Sequence, residues 1–304
     1  MTTPKYVKYK SYSGFLIRDN CTPYVKPQTL NHLDRAVYLT SLVEVGGKFG
    51  LINSYDGAGM SAGLEHKIAV LPRTLSQGSL WGMLNDIRAA VPLNTCPPLE
   101  KLLNAFKKLN WTLDSVGVLR DSQTGSEVSG RIIRNEFTPM DGKVPAQGPM
   151  HDKARDWIIM FHELFNHPAT FHVQIESAKK YLLLSNKKRE IEAYRAICGV
   201  QNPSVLKVNS GINQEQDLAM CVYHSHSVNG PAPAKSCLDA SRPNTDKDWP
   251  KRLIRLLGTR KYGSWKDTID GNNRYDRTRL LAMKSDLWNE SLFVGPNAIM
   301  PKDL

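Results

Sequence analysis

A chain of 304 residues, 41% hydrophobic and 23% charged, carries enough apolar material for a sizeable core, as one elaborated domain or two lobes. No run approaches the ~20 apolar residues of a membrane-spanning helix. Forty Lys and Arg against 29 Asp and Glu leave a formal charge of +11, which attracts polyanions. Nucleic acid is the default partner on charge, yet neither an aromatic-rich basic stretch nor zinc-finger spacing is present.

Residues 1–10 are basic without an apolar centre and are not expected to act as a signal peptide. The first chemically informative stretch is 33–63. Leu33, Val37, Thr40 and Glu44 fall at i, i+4, i+7 and i+11, one face of a helix. A carboxylate ending an apolar stripe is half desolvated and sits at the negative end of the helix dipole; both effects favour its protonated form. A general acid near neutral pH needs that state. Asp34, one position off the stripe, is expected to face water. Gly57, Gly59 and Gly63 permit a tight turn that brings Asp56 back across a cleft from Glu44. Two carboxylates in contrasting environments are the equipment for cleaving a glycosidic bond. On spacing alone, a solvated helix-end Glu and an ordinary Asp-Gly turn explain the same residues.

Further along, Leu75, Leu80, Met83, Leu84 and Ile87 predict a helix over 75–90, with Trp81 on its edge and Pro92, Pro97 and Pro98 breaking it. A short helix over 98–110 follows, carrying Leu99, Leu102, Leu103 and Phe106 inward and Lys107-Lys108 outward. Val116 to Ile133 reads as a β-hairpin or polar insertion, closed by a Pro/Gly loop to residue 150. That loop is the expected boundary between lobes 1–150 and 151–304. The second half reads as helical: 151–167, 171–184, 187–198, 214–224, 249–257 and 274–288.

His162 and His167 are five residues apart, which rotates the second off the ligand face of a zinc helix, so no metal is expected there. They read as surface or packing residues, with Asn166-His167-Pro168 as a helix cap. Five scattered cysteines leave at least one free thiol. Buried inert thiols explain them, and an oxidising compartment would allow a disulfide among Cys198, Cys221 and Cys237. Residues 223–231, with His224, His226 and Asn229 before a Gly-Pro stop, could line a sugar cleft or simply end a helix. The same holds for Trp265 and for Arg274-Tyr275-Asp276-Arg277, since aromatic faces stack on sugars and Arg binds carboxylates.

The run Asp56-Gly-Ala-Gly-Met-Ser61-Ala-Gly63 resembles the active-site hairpin of the family 46 chitosanases, Asp-Gly-x-Gly-(aromatic)-Thr-Ala-Gly, within the lysozyme-like superfamily. The longer stretch from Glu44 through Gly46-Gly47-Lys48-Phe49-Gly50 to Asn53-Ser54-Tyr55-Asp56 is still more similar to peptidoglycan-cleaving muramidases carried by phages and contact-dependent secretion systems. The specific part spans about a tenth of the chain. The resemblance implies that Glu44 is the general acid, that Asp56 activates water from the opposite face, and that Ser61, in place of the usual Thr, helps to position it. Met60 stands where the chitosanases carry an aromatic, and the Glu-to-Asp interval is shorter than theirs, which leaves Asp34 as a rival proton donor.

The resulting expectation is a mainly α (α+β), lysozyme-like two-lobed fold with a small β-hairpin after the first long helix. The expected activity is hydrolysis of β-1,4 bonds in peptidoglycan, with a chitosanase, a catalytically silent glycan-binding or virion structural protein, and a basic nucleic-acid-binding protein as successively weaker alternatives. Tyr55, His66, Trp81, His226, Asn229 and Tyr275 are the candidate substrate-binding residues. No cofactor or metal is expected. The partners implied are glycan strands, and a virion or secretion-system component or an immunity protein; delivery to the periplasm or wall would fall to a phage particle, a holin or a secretion machine. The +11 charge suits an anionic wall better than cationic chitosan.

Overall fold

The computed structural model describes residues 3–9, 12–26, 32–54, 59–64, 67–69, 79–137, 144–182, 214–227, 231–241, 247–259 and 287–288. The chain is mainly helical with small antiparallel sheets. It divides into two compact units. One comprises Met1–Tyr24 with Lys48–Tyr181, the other Val25–Gly47 with Leu182–Leu304. The division therefore does not fall at the Pro/Gly loop before residue 150. The helix that follows this loop packs against strands of the N-terminal sheet and is part of the same unit.

In the first unit, β1 (Lys5–Tyr9) and β2 (Tyr12–Ile17) form a hairpin registered from Lys5↔Leu16 to Tyr9↔Tyr12. Aromatic and β-branched residues favour this pleated surface, and Phe15 and Ile17 are buried. Three two-residue strands extend the sheet in chain order: β3 (Ile52–Asn53), β4 (Ser61–Ala62) and β5 (Lys67–Ile68).

Helix α1 (His32–Val45) belongs to the second unit and is taken up below. Helix α2 (Leu80–Ala90) starts at Ser79, whose Oγ accepts from the Gly82 N–H (3.1 Å). A 3-10 turn (Leu93–Thr95) leads into α3 (Pro97–Lys108), which opens on proline, where no helical N–H is missed. It buries Leu99, Leu102 and Phe106 and leaves Lys107 and Lys108 exposed, as their spacing predicts.

A two-stranded sheet, β6 (Trp111–Leu113) and β7 (Leu119–Asp121), comes next. Its turn is organised by Asp114, whose Oδ1 accepts the N–H groups of Val116 (3.0 Å) and Val118 (2.8 Å). The hairpin or polar insertion expected over 116–133 is thus displaced: the hairpin starts at Trp111, before that span, and its second strand ends at Asp121. Residues 130–137 form a helix instead, α4 (Gly130–Phe137). Ser129 caps it, its Oγ accepting from Ile132 N–H (3.3 Å) and its carbonyl from Ile133 N–H (3.1 Å). Ile133 and Phe137, four apart, both face the core.

Helix α5 (Pro149–Phe165) is the axis of this unit and packs against α3, α4, β2, β3 and β4. Its Trp157 and Phe161 meet Trp81, Phe106 and Phe137 in an aromatic cluster. Phe137 stands edge-on to Trp157 (5.1 Å, 83°) and to Phe161 (5.8 Å, 89°). Helix α6 (Pro168–Leu182) follows after a break at Asn166-His167. The anticipated cap is present: Asn166 donates its N–H to the His162 carbonyl (2.9 Å).

In the second unit, α1 packs against α7 (Gln214–Ser227), while α9 (Trp249–Thr259) packs on α7 and α8 (Pro231–Ser241). Helix α8 begins at Pro231, within the Gly-Pro pair read as a stop; proline at a first helical position is a start. Leu33, Val37 and Thr40 are buried as expected, but so are Ala36, Leu39, Ser41 and Val43, so α1 is enclosed on nearly every side. This overturns the expectation that Asp34 faces water: it is only 7% exposed.

The expected helix at 187–198 lies outside the described residues, as does Cys198; so does the expected helix at 274–288 except for Leu287 and Trp288, which are not helical. Cys21, Cys96, Cys221 and Cys237 are buried free thiols. Burial pushes the Cys21 thiol up to about 11, which keeps it an un-ionised, inert group.

Truncating the centre of the aromatic cluster should be severe. Phe137→Ala is expected to cost about 3–5 kcal/mol of stability, read from the urea midpoint of unfolding. A loss below about 1 kcal/mol would mean that the cluster does not hold this unit together.

Candidate active site

Glu44 lies in the last turn of α1, half-buried between the buried Val43 and Val45. The helix stops because the next two residues take left-handed backbone, Gly46 at φ +64° and Gly47 at φ +67°. The Gly47 N–H donates to the Ser41 carbonyl (2.9 Å), satisfying one of the acceptors orphaned at a helix end. A Cβ at Gly47 would in addition lie 2.7 Å from Leu42 Cδ2, so the leucine side chain would have to shift to admit one. The carboxylate therefore stays at the helix terminus and the chain turns away directly after it.

The glycine-rich segment forms the anticipated hairpin. β3 and β4 pair antiparallel with Ile52 opposite Ala62 and Asn53 opposite Ser61, so residues 54–60 are the connection. Its base is anchored by Ser54, whose N–H donates to the Phe15 carbonyl (2.9 Å) and whose Oγ accepts the Phe15 N–H (3.1 Å). At the far end Gly63 adopts φ +75°, and a Cβ there would sit 2.6 Å from Met83 Cε and 3.2 Å from Gln174 Oε1. Gln174 is itself fixed by donating Nε2 to the Phe165 carbonyl (2.8 Å) and Thr170 Oγ1 (3.0 Å). Met60 is fully buried and its carbonyl accepts from Ala69 N–H (2.8 Å). Its side chain fills the core where the chitosanase pattern carries an aromatic.

Ser61 is 3% exposed, within the sheet of the first unit; Glu44 belongs to the second. Asp56 and Tyr55 fall in the 54–60 connection and, with His66, Asn229 and Tyr275, lie outside the described residues.

Two candidate sugar-binding residues are core residues. Trp81 is 5% exposed, donates Nε1 to the Ala69 carbonyl (2.8 Å) and is packed by Phe106, Phe137 and Phe161, leaving no face for a sugar. Its position is the inner, not the edge, side of α2. His226 is 1% exposed at the end of α7, where every residue from 217 to 226 is buried, so it does not line an open cleft.

Two polar arrangements were not anticipated. In the second unit, Asp217 Oδ2 meets Arg35 Nε (2.5 Å) and accepts from Trp288 Nε1 (2.7 Å). In the first, buried His162 points Nδ1 at the Gly50 carbonyl (2.7 Å), which makes that nitrogen the protonated one. Nearby, Asn166 Oδ1 accepts from Thr22 N–H (2.7 Å) and its Nδ2 donates to the Asn20 carbonyl (2.9 Å). Pairing of such distant residues leaves no trace in local spacing. A signal for His162 was there, since it continues the apolar stripe of Ile158, Phe161 and Phe165.

No family model matches this chain, and neither do any curated protein or solved structure.

Asp217 is nearly enclosed, and removing it would strand its partners. Asp217→Ala is expected to destabilise the protein by about 3–5 kcal/mol in urea denaturation, with a change in the fluorescence of Trp288. A near-neutral effect would show that the buried pair is dispensable.

Proposed function

We propose that this protein hydrolyses β-1,4 glycosidic bonds of an N-acetylated glycan, and that its substrate is peptidoglycan. The observation that carries the reading is the β3–β4 hairpin, which opens at Ile52, seven residues after α1 ends at Val45 and eight after Glu44, with Asp56 between its two strands in sequence. The resemblance of residues 44–63 to lysozyme-like muramidases supports the assignment of roles.

Glu44 donates a proton to the leaving oxygen. Its helix-end position, half-buried among apolar neighbours, suits a carboxyl that must hold a proton before the bond breaks. Asp56 takes a proton from the attacking water, and Ser61 helps to orient that water. With a base rather than a nucleophile at Asp56, the product leaves with inverted anomeric configuration. The mechanism uses two carboxyl groups and no cofactor. The +11 charge favours an anionic wall and disfavours cationic chitosan. A phage particle, a holin or a secretion machine would bring the protein to that wall.

Glu44→Gln keeps the shape of the side chain and removes its transferable proton, so hydrolysis of purified sacculi should fall by ~10²–10⁴-fold while the fold persists. Asp56→Asn should fall comparably. Mass spectrometry of the released muropeptides checks the bond broken: reducing muramic ends are expected, and near wild-type release by Glu44→Gln would remove Glu44 as the acid.

Wall binding should weaken as salt rises from about 0.05 to about 0.5 M, because the Debye length shrinks severalfold. Pull-down on sacculi reads this directly. Salt-independent binding, or faster turnover of soluble chitosan than of sacculi, would overturn the choice of substrate.

A further inference from the structure

Gly63 directly follows β4, the strand that carries Ser61, and both belong to the first unit. In the direction a side chain would take, Gly63 meets two others. A Cβ there would lie 2.6 Å from Met83 Cε and 3.2 Å from Gln174 Oε1. Gln174 belongs to α6 and is completely buried.

The amide of Gln174 can face only one way. Its Nε2 donates to the Phe165 carbonyl (2.8 Å) and to Thr170 Oγ1 (3.0 Å). The Thr170 hydroxyl directs its own proton at the carbonyls of Leu164 (3.1 Å) and His167 (2.9 Å), so towards Gln174 it acts as an acceptor. Turning the amide over would set its oxygen against two acceptors. Oε1 is therefore held towards Gly63, and among the described residues no N–H or O–H donates to it there. A buried acceptor in that state is costly, and an apolar side chain of the same length would avoid the cost.

We propose that Gln174 is a positioning residue for the hairpin: its amide oxygen is the stop against which Gly63 is seated, and the seat fixes where Ser61 lies. This rests on the reading of Ser61 as the group that orients the attacking water. The strand needs such a stop. β4 is two residues long and pairs only with β3 and β5, each also of two residues. So short a ladder holds a strand weakly by itself. A contact from α6 supplies the missing constraint, with a weak attraction between the Gly63 Cα–H and the amide oxygen as a minor addition. The line of contacts runs from the α5–α6 break through Thr170 and Gln174 to Gly63, two residues from Ser61. Misplacing a reacting group by ~1 Å can cost ~10²-fold in rate, so a residue that touches no substrate can still set kcat.

The test uses the full-length protein. Gln174→Met keeps the length of the side chain and removes both polar atoms. On sacculi, kcat should fall about tenfold with KM unchanged, and the loss should vanish in a Ser61→Ala background, where nothing is left to position. A merely structural role would lower the folded fraction and leave kcat per folded molecule as it was. A second readout is free of activity: exchange of the Ser61 and Ala62 amide hydrogens, followed by NMR, should quicken at least ~tenfold while that of α3 stays unchanged. Gln174→Glu is the second variant. Its carboxyl has the shape of the amide and can donate to the Phe165 carbonyl only when protonated. Burial raises its pKa above the ordinary ~4.3, so slow exchange in β4 should return as pH falls through that raised value and be lost as pH rises. Unchanged exchange in β4 for both variants overturns the proposal, as does an equal kcat loss in the Ser61→Ala background. Quickened exchange beside full activity of Ser61→Ala upholds the seat and removes the role of Ser61, so the two readings fail separately.

Discussion

Helix α1 ends because Gly46 and Gly47 both take left-handed backbone, and the placing of the candidate chemistry follows from that stop. Without it, Glu44 would lie within a continuing helix, its carboxyl one turn or more from the dipole terminus. With it, Glu44 occupies the final turn, and the chain leaves at Lys48, which bridges to Pro23. The next two residues also belong to the first unit: Phe49 stacks on Phe171 (4.1 Å, 9°), and the Gly50 carbonyl meets His162. Glu44 and the hairpin are thus separated by a few residues, each tied down by contacts of its own unit.

The hairpin itself is short, and two-residue strands have little stability alone. Its support comes from α5 and from the edge of β2. Ser54 exchanges both backbone and side-chain hydrogen bonds with Phe15, and the turn after β4 is packed by Met83 and Gln174. Behind these stand the aromatic rings of Trp81, Phe106, Phe137, Trp157 and Phe161. Trp81 is better spent there: an indole buried under three phenylalanines contributes to stability through area and edge-to-face contacts that an exposed sugar platform would forgo.

Where periodicity and packing agree, the sequence was legible. The buried stripe of α1, the inward residues of α2 and α3, and the glycine-permitted hairpin over 52–62 could all be read from spacing. Val128, Ile132 and Ile133 misled because β-branched residues favour strands, whereas Ser129 and the four-residue interval from Ile133 to Phe137 made a helix the better burial. Pro231 misled because the residue that ends one helix can begin another. Asp34 misled because a single stripe was assumed for a helix that is buried almost all round. The division into units was not legible, since α1 belongs with residues nearly two hundred positions later.

Enclosing α1 and α7 brings many polar groups inside: Asp34, Thr40, Ser41, Asp217, His224, Ser225 and His226 are all buried. A unit selected for stability alone would fill these positions with apolar residues, since even a well-made buried ion pair rarely outperforms a hydrophobic contact. The polar groups also do not spread evenly. Arg35, Asp217 and Trp288 account for one end through mutual bonds. Truncating one member of that set strands the others, so its worth lies in fixing how α1, α7 and Trp288 meet rather than in net stability.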